Sequence, residues 1–176
     1  MGEAAAYLAQ KAQGLERAGA DFIACGSNTM HRVSPAIEAA VSVPFLHIVD
    51  VVAQAARRAG VGALGLLGTL PVMEAGFYQD RLASHGLSIV APAEDDRAFV
   101  DRVIFDELTF NVFTDDSRRE YVRVMHDLRD RGAEAIVLGC TEITQLVGPN
   151  DFPSLPLLDS TALHVEAIVN VSLTEK

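Results

Sequence analysis

The chain has 176 residues, 49% of them hydrophobic, and its 24 acidic against 14 basic side chains give a formal net charge of −10 at pH 7. That is the length of one ordinary domain or two small halves, with apolar material for a real core and no basic footprint for nucleic acid or an anionic membrane. No apolar run nears the roughly 18 residues of a membrane span, and the start "MGEAAAYLAQKAQGLERAGA" lacks the regions of a signal peptide, so a cytoplasmic protein is expected.

The first predicted element is a helix with Ala4, Leu8, Ala12 and Leu15 on one stripe, interrupted by Gly14. Six short runs follow: "DFIAC" (21–25), "PFLHI" (44–48), "ALGLLG" (63–68), "SIVAP" (88–92), "AIVLG" (135–139) and "PLLD" (156–159). Apolar on both faces, they predict strands of a parallel sheet buried between helices. Between them, Ser34-Pro35 reads as an N-cap followed by proline, and Asp50 as the cap of "VVAQAARRAG". Gly60, Gly86 and Gly132 read as helix stops. Met73, Phe77 and Leu82 are placed on one helical face, Tyr121, Met125 and Leu128 on another, and "STALHVEAIVNVSL" forms a last helix.

This βαβα succession predicts an α/β fold of two doubly wound parallel-sheet units, with ligand sites beyond the carboxyl ends of the strands. The divisions are a partial N-terminal domain at 1–49, a C-terminal domain at 50–159 and a terminal helix at 160–176 that can return to the first. The first unit offers two strands only, thin for a covered sheet, and is read as incomplete.

Three strand ends carry small polar residues: "CGSNT" (25–29), "GT" (68–69) and "GCTE" (139–142). The two cysteines, Cys25 and Cys140, lack a zinc-like spacing, so no disulfide framework and no metal site is expected. Cys140 would emerge at the sheet rim near amides that can lower its pKa from about 8.5, giving a nucleophile or base. The alternative is a small buried hydrophobe. Asp106 and Glu107, adjacent on a helix, diverge by about 100° and do not form a facing acid/base pair. Arg118-Arg119 read as an exposed helix turn, and His47, His85 and His126 as packing or solvent residues.

Taken together, "SNTMH", "PFLHIVD", "LGLLGT", "GFYQDRL", "FDEL", "FTDDSRREY", "VLGCTEI" and "LLDSTALH" resemble, in order and spacing, the cofactor-independent aspartate/glutamate racemase family. The resemblance covers almost the whole chain and implies that family's paired α/β units. It also implies two proton-transfer groups facing each other across the substrate, because racemisation removes an α-proton from one face of a planarising carbon and returns one to the other. By resemblance these are Cys140, as base toward the L-enantiomer, and Ser27, where many relatives carry cysteine and some a hydroxyl residue. Cys25, two residues earlier, is assigned to the core. Asn28, Thr29, Thr69 and Thr141 would bind the substrate and stabilise the enolate-like transition state, and Glu142 would tune the cysteine or bind the amine. No cofactor is implied. The implied substrate is a small acidic amino acid, aspartate before glutamate.

Relatives begin with a glycine-rich strand, a helix and a second strand that have no counterpart before Met1. Exposed sheet edge and apolar surface are therefore expected, and with them a homo-oligomer, drawn as a dimer. Val72 stands where relatives often carry threonine, which implies one lost carboxylate contact. His31 fits either a family-like string or a loop hydrogen bond, and His164 is assigned to core or interface. Two other readings stand beside the racemase: a one-cysteine decarboxylase or isomerase of the same superfamily, and a non-catalytic remnant that folds as a binding module.

Overall fold

A computed structural model describes residues 2–174. Helix α1 (Gly2–Arg17) leads into strand β1 (Ile23–Ala24), a 3₁₀ turn at Thr29–Val33, α2 (Ser34–Glu38) and β2 (Phe45–Leu46). Then come α3 (Ile48–Ala59), β3 (Ala63–Leu67), α4 (Leu70–Glu74), α5 (Phe77–Ser84), β4 (Ser88–Val90) and α6 (Glu94–Asp106). After α7 (Asp115–Asp130), β5 (Ala135–Leu138), α8 (Ile143–Leu146) and β6 (Leu157–Asp159), α9 (Ser160–Thr174) ends the described chain. All six expected strands form. They make two parallel sheets, β1-β2 and β4-β3-β5-β6.

The larger sheet is covered on both faces, as its continuous apolar strands require. Alternation divides the side chains: Leu64, Leu66, Ala135 and Val137 pack with α3 and α5, whereas Leu67, Ile136 and Leu138 pack with α6 and α7. Tyr121, Met125 and Leu128 all lie in that second layer, Tyr121 donating a 2.9 Å hydrogen bond to the Val100 carbonyl. The small sheet has a lesser core of Ala12, Ile23 and Ile37. Only Leu8 and Ala12 of the expected α1 stripe reach it, and Leu15 is exposed.

Gly60, Gly86 and Gly132 do stop their helices, each with positive φ. The two expected caps are different. Ser34 is already helical and receives the His47 Nε2–H at 3.1 Å, while α3 is capped by His47, whose Nδ1 accepts from the Val49 amide at 3.1 Å. Asp50 lies inside the first turn of α3 and is held by Arg81, at 2.6 and 2.7 Å, and by His85 at 2.8 Å. Those bonds outweigh burial and hold its carboxyl down at about 2. The face expected to join Met73, Phe77 and Leu82 is broken at Gly76 (φ 77°), which sends Met73 into one core layer and Leu82 into the other.

Strands β1, β3 and β5 all end at the same rim. There β3 and β5 approach so closely that a Cβ on Gly139 would stand 2.9 Å from the Leu67 carbonyl oxygen, and one on Gly68 3.1 Å from the Gly139 carbonyl oxygen. Val72 is buried, with its Cγ1 against these glycines. Helix α9 packs on α3 and reaches the small sheet through His164, whose Nε2–H donates to the Leu46 carbonyl at 2.9 Å. Among the described residues no helix is long and apolar enough to cross a membrane, and no group of three or more His, Cys, Asp or Glu is placed to hold a metal ion.

Candidate active site

The loop after β1 owes its shape to His31. Its Nε2 accepts from the Ile48 amide at 3.1 Å, so Nδ1 carries the hydrogen and donates it to the Ser27 carbonyl at 2.7 Å. Burial pushes this imidazole down to about 4 and His47 beside it to about 3. Both are therefore neutral struts at physiological pH. The Ser27 hydroxyl accepts a long 3.4 Å bond from the Met30 amide, which leaves its own O–H free to donate.

Asn28 and Thr29 face the other unit. The Asn28 amide donates to Ser160 Oγ at 2.9 Å and accepts from the Tyr78 hydroxyl at 3.3 Å. Thr29 Oγ1 meets Thr69 Oγ1 at 3.1 Å, and Thr69 occupies the N-cap position of α4 without capping it through its side chain. The Leu70 amide is taken by Asp101 at 2.7 Å instead.

On the third strand end, the Cys140 thiol donates to Glu142 Oε2 at 2.9 Å, and the Thr141 hydroxyl donates to the same oxygen at 2.6 Å. The expectation that rim amides lower the Cys140 pKa is corrected here. Burial, reinforced by the Glu142 carboxylate, overrides the Thr141 and Glu142 amides and pushes the thiol up to about 12. Burial also pushes Glu142 upward, but the bonds from Cys140 and Thr141 outweigh it and hold that carboxyl below its ordinary value. Glu142→Gln is expected to lower the Cys140 pKa by removing the nearby negative charge. Alkylation of the unliganded protein by iodoacetamide, followed against pH, would then rise at a lower pH than in the wild type.

Ser27, Asn28, Thr29, Thr69, Cys140, Thr141 and Glu142 all line one cavity of about 230 Å³. Cys25 does not; its thiol is half-buried, and burial pushes its pKa up. The same cavity is lined by Ile104, Phe105 and Thr109, which the sequence reading did not select although Phe105 opens the "FDEL" string. Tyr78 and Ser160, also missed, lie behind it, within the "GFYQDRL" and "LLDSTALH" strings.

The remaining candidates do not line this cavity. Glu107 accepts from Ser117 Oγ (2.6 Å) and Thr114 Oγ1 (3.3 Å) at the start of α7. Arg118 is held by the Leu146 carbonyl and by Asp151 at 3.4 Å, so only Arg119 is the exposed residue expected. His126 stacks edge-on against Phe152, and His85 belongs to the Asp50–Arg81 cluster.

Comparison with known proteins shows the family. A candidate Asp/Glu racemase from Yersinia pestis is 42% identical, with a TM-score of 0.92 over 97% of this chain and 74% of its own. An aspartate racemase homologue from Pyrococcus horikoshii is 33% identical, with a TM-score of 0.87 over 96% of this chain and 74% of its own. The broad specificity amino-acid racemase RacX of Bacillus subtilis is 26% identical over 159 residues, 90% of this chain and 68% of RacX. The sequence model of the Asp/Glu/Hydantoin racemases matches residues 2–168, and the chain belongs to that family.

Proposed function

We propose that the chain racemises an amino acid without a cofactor, Cys140 and Ser27 serving opposite faces of its α-carbon. The observation that carries this reading is the single cavity lined by both residues and by the hydroxyls of Thr29, Thr69 and Thr141. Cys140 gives up its S–H proton to solvent and the thiolate takes the α-proton from one face. Ser27 donates its O–H proton to the other face and recovers one from solvent. The threonine hydroxyls supply donors to the enolate-like charge that develops between the two steps. Ser27 is a poor base, so it enters as donor in the L-to-D direction.

The family name and the resemblance support an acidic substrate, aspartate first. A second reading, a neutral side chain, is favoured by Ile104, Phe105 and Thr109 in the wall and by the carboxylate of Glu142. A second copy of the chain is proposed to cover the exposed Val165, Val169 and Leu173 of α9 or Tyr7 and Leu15 of α1.

The deciding experiment is α-proton exchange in D₂O, read by NMR with chiral chromatography of the same samples, on L-aspartate, L-glutamate, L-homoserine and L-leucine. Deuterium entry that tracks D-product formation on at least one of them is the expected result. Loss of carbon dioxide from disubstituted malonates with no amino-acid exchange would establish the decarboxylase, and no reaction on either class the non-catalytic remnant.

A further inference from the structure

We propose that Ser160 and Tyr78 are positioning residues that set the separation between the two proton-transfer faces; the proposal rests on the racemase reading above. The Ser160 hydroxyl accepts from the Asn28 amide at 2.9 Å and donates to the Leu138 carbonyl at 2.8 Å. Asn28 follows Ser27 directly, and Leu138 stands two residues before Cys140. One hydroxyl at the start of α9 thus ties the two catalytic segments together, although neither segment is near it in sequence.

Tyr78 on α5 fixes the other end of the Asn28 side chain, donating to Oδ1 at 3.3 Å. These two bonds orient the Asn28 amide, with Oδ1 toward the tyrosine and Nδ2 toward the serine. Ser160 is 0%, Tyr78 1% and Asn28 6% exposed, so water does not replace a missing partner without rearrangement. Neither Ser160 nor Tyr78 lines the cavity, which leaves their influence on the reaction to geometry alone. Because the thiol emerges from the rigid, doubly covered sheet and Ser27 from a loop, loosening the tie displaces Ser27 more than Cys140.

Ser160→Ala, Ser160→Thr and Tyr78→Phe provide the test, with two separate rates read in D₂O. Deuterium entry into the retained L-substrate reports abstraction and return at Cys140, whereas deuterated D-product needs both faces. In Ser160→Ala, inversion is expected to fall about tenfold while retained-face exchange changes about threefold or less, the scale of one lost buried hydrogen bond. Tyr78→Phe should move the ratio in the same direction by a smaller factor, and Ser160→Thr, which keeps the hydroxyl, should restore it.

A fall of both rates in proportion, or no change in either, would overturn the proposal, since partial unfolding lowers both alike. A second measurement does not depend on turnover. Amide hydrogen exchange of segments 26–33 and 138–143 should quicken together in Ser160→Ala and Tyr78→Phe, and unchanged protection in either segment would overturn the tie itself. Wild-type protein that shows no exchange on any amino acid refutes the racemase reading, leaving amide exchange to judge the coupling.

Discussion

Replacing Cys140 by alanine is expected to abolish measurable racemisation while leaving the fold intact. A positioned acid–base group contributes about a hundred- to ten-thousandfold, and the loss should approach the upper figure because no other thiol lines the cavity among the described residues. Alanine also removes the Glu142 hydrogen bond, but Thr141 Oγ1 still donates to that oxygen, so the carboxylate keeps a partner. Deuterium entry into the L-substrate should vanish together with D-product, in contrast to the unequal losses expected at Ser160. With the thiol pushed up to about 12, kcat/KM for L-to-D conversion by the wild type should rise about tenfold per pH unit across neutrality if deprotonation of the free enzyme limits. Steady-state kinetics of wild type and Cys140→Ala with chiral detection checks both statements.

Acidification from pH 7 to pH 5 is expected to remove about 4 kcal/mol of folding stability through His31 and His47 alone. Both are nearly inaccessible, at 1% and 3% exposure, and burial depresses their pKa values to about 4 and about 3. In the unfolded chain each returns to about 6.5, so at pH 5 each is protonated there and neutral in the fold, costing about 2 kcal/mol apiece. The contribution is fully present above pH 6.5, falls as pH drops, and saturates near 4 for His31 and 3 for His47. Urea unfolding at pH 7, 6 and 5 measures the slope. His47→Gln should flatten it by about 2 kcal/mol at pH 5, because the amide takes up no proton. A pH-independent midpoint would mean that these imidazoles are charged or hydrated in the native state.

Much of this architecture is legible in the residues. The apolar runs specify six strands because a doubly covered parallel sheet leaves no polar face to disguise them, and the three polar strand ends follow from the same pattern. Caps are less legible, since the side chains of Ser34 and Asp50 are claimed by His47 and Arg81, partners 13 and 31 residues away. The break at Gly76 is missed because Met73 and Leu82 satisfy one helical period while belonging to opposite core layers. At the site, residues in motif strings come together in one cavity, but the Cys140 pKa depends on Glu142 turning back on the thiol. That is a side-chain conformation no spacing encodes. Ser160 and Tyr78 were hidden for a similar reason: each acts through Asn28, at sequence distances of 132 and 50.

The register of β3 with β5, which pairs Leu64 with Ala135 and Leu67 with Leu138, also bears on how the molecule is made. Thr69 and Cys140 become neighbours only after the intervening β4 and two long helices have been looped out, a closure whose entropic cost precedes any contact that repays it. The carboxyl rim is thus assembled from the most sequence-distant pairing of the central strands, and the loop carrying Ser27 must then dock on it. Assembly of that rim during refolding is consequently expected to follow the local helix pairs, the order that loop-closure entropy favours.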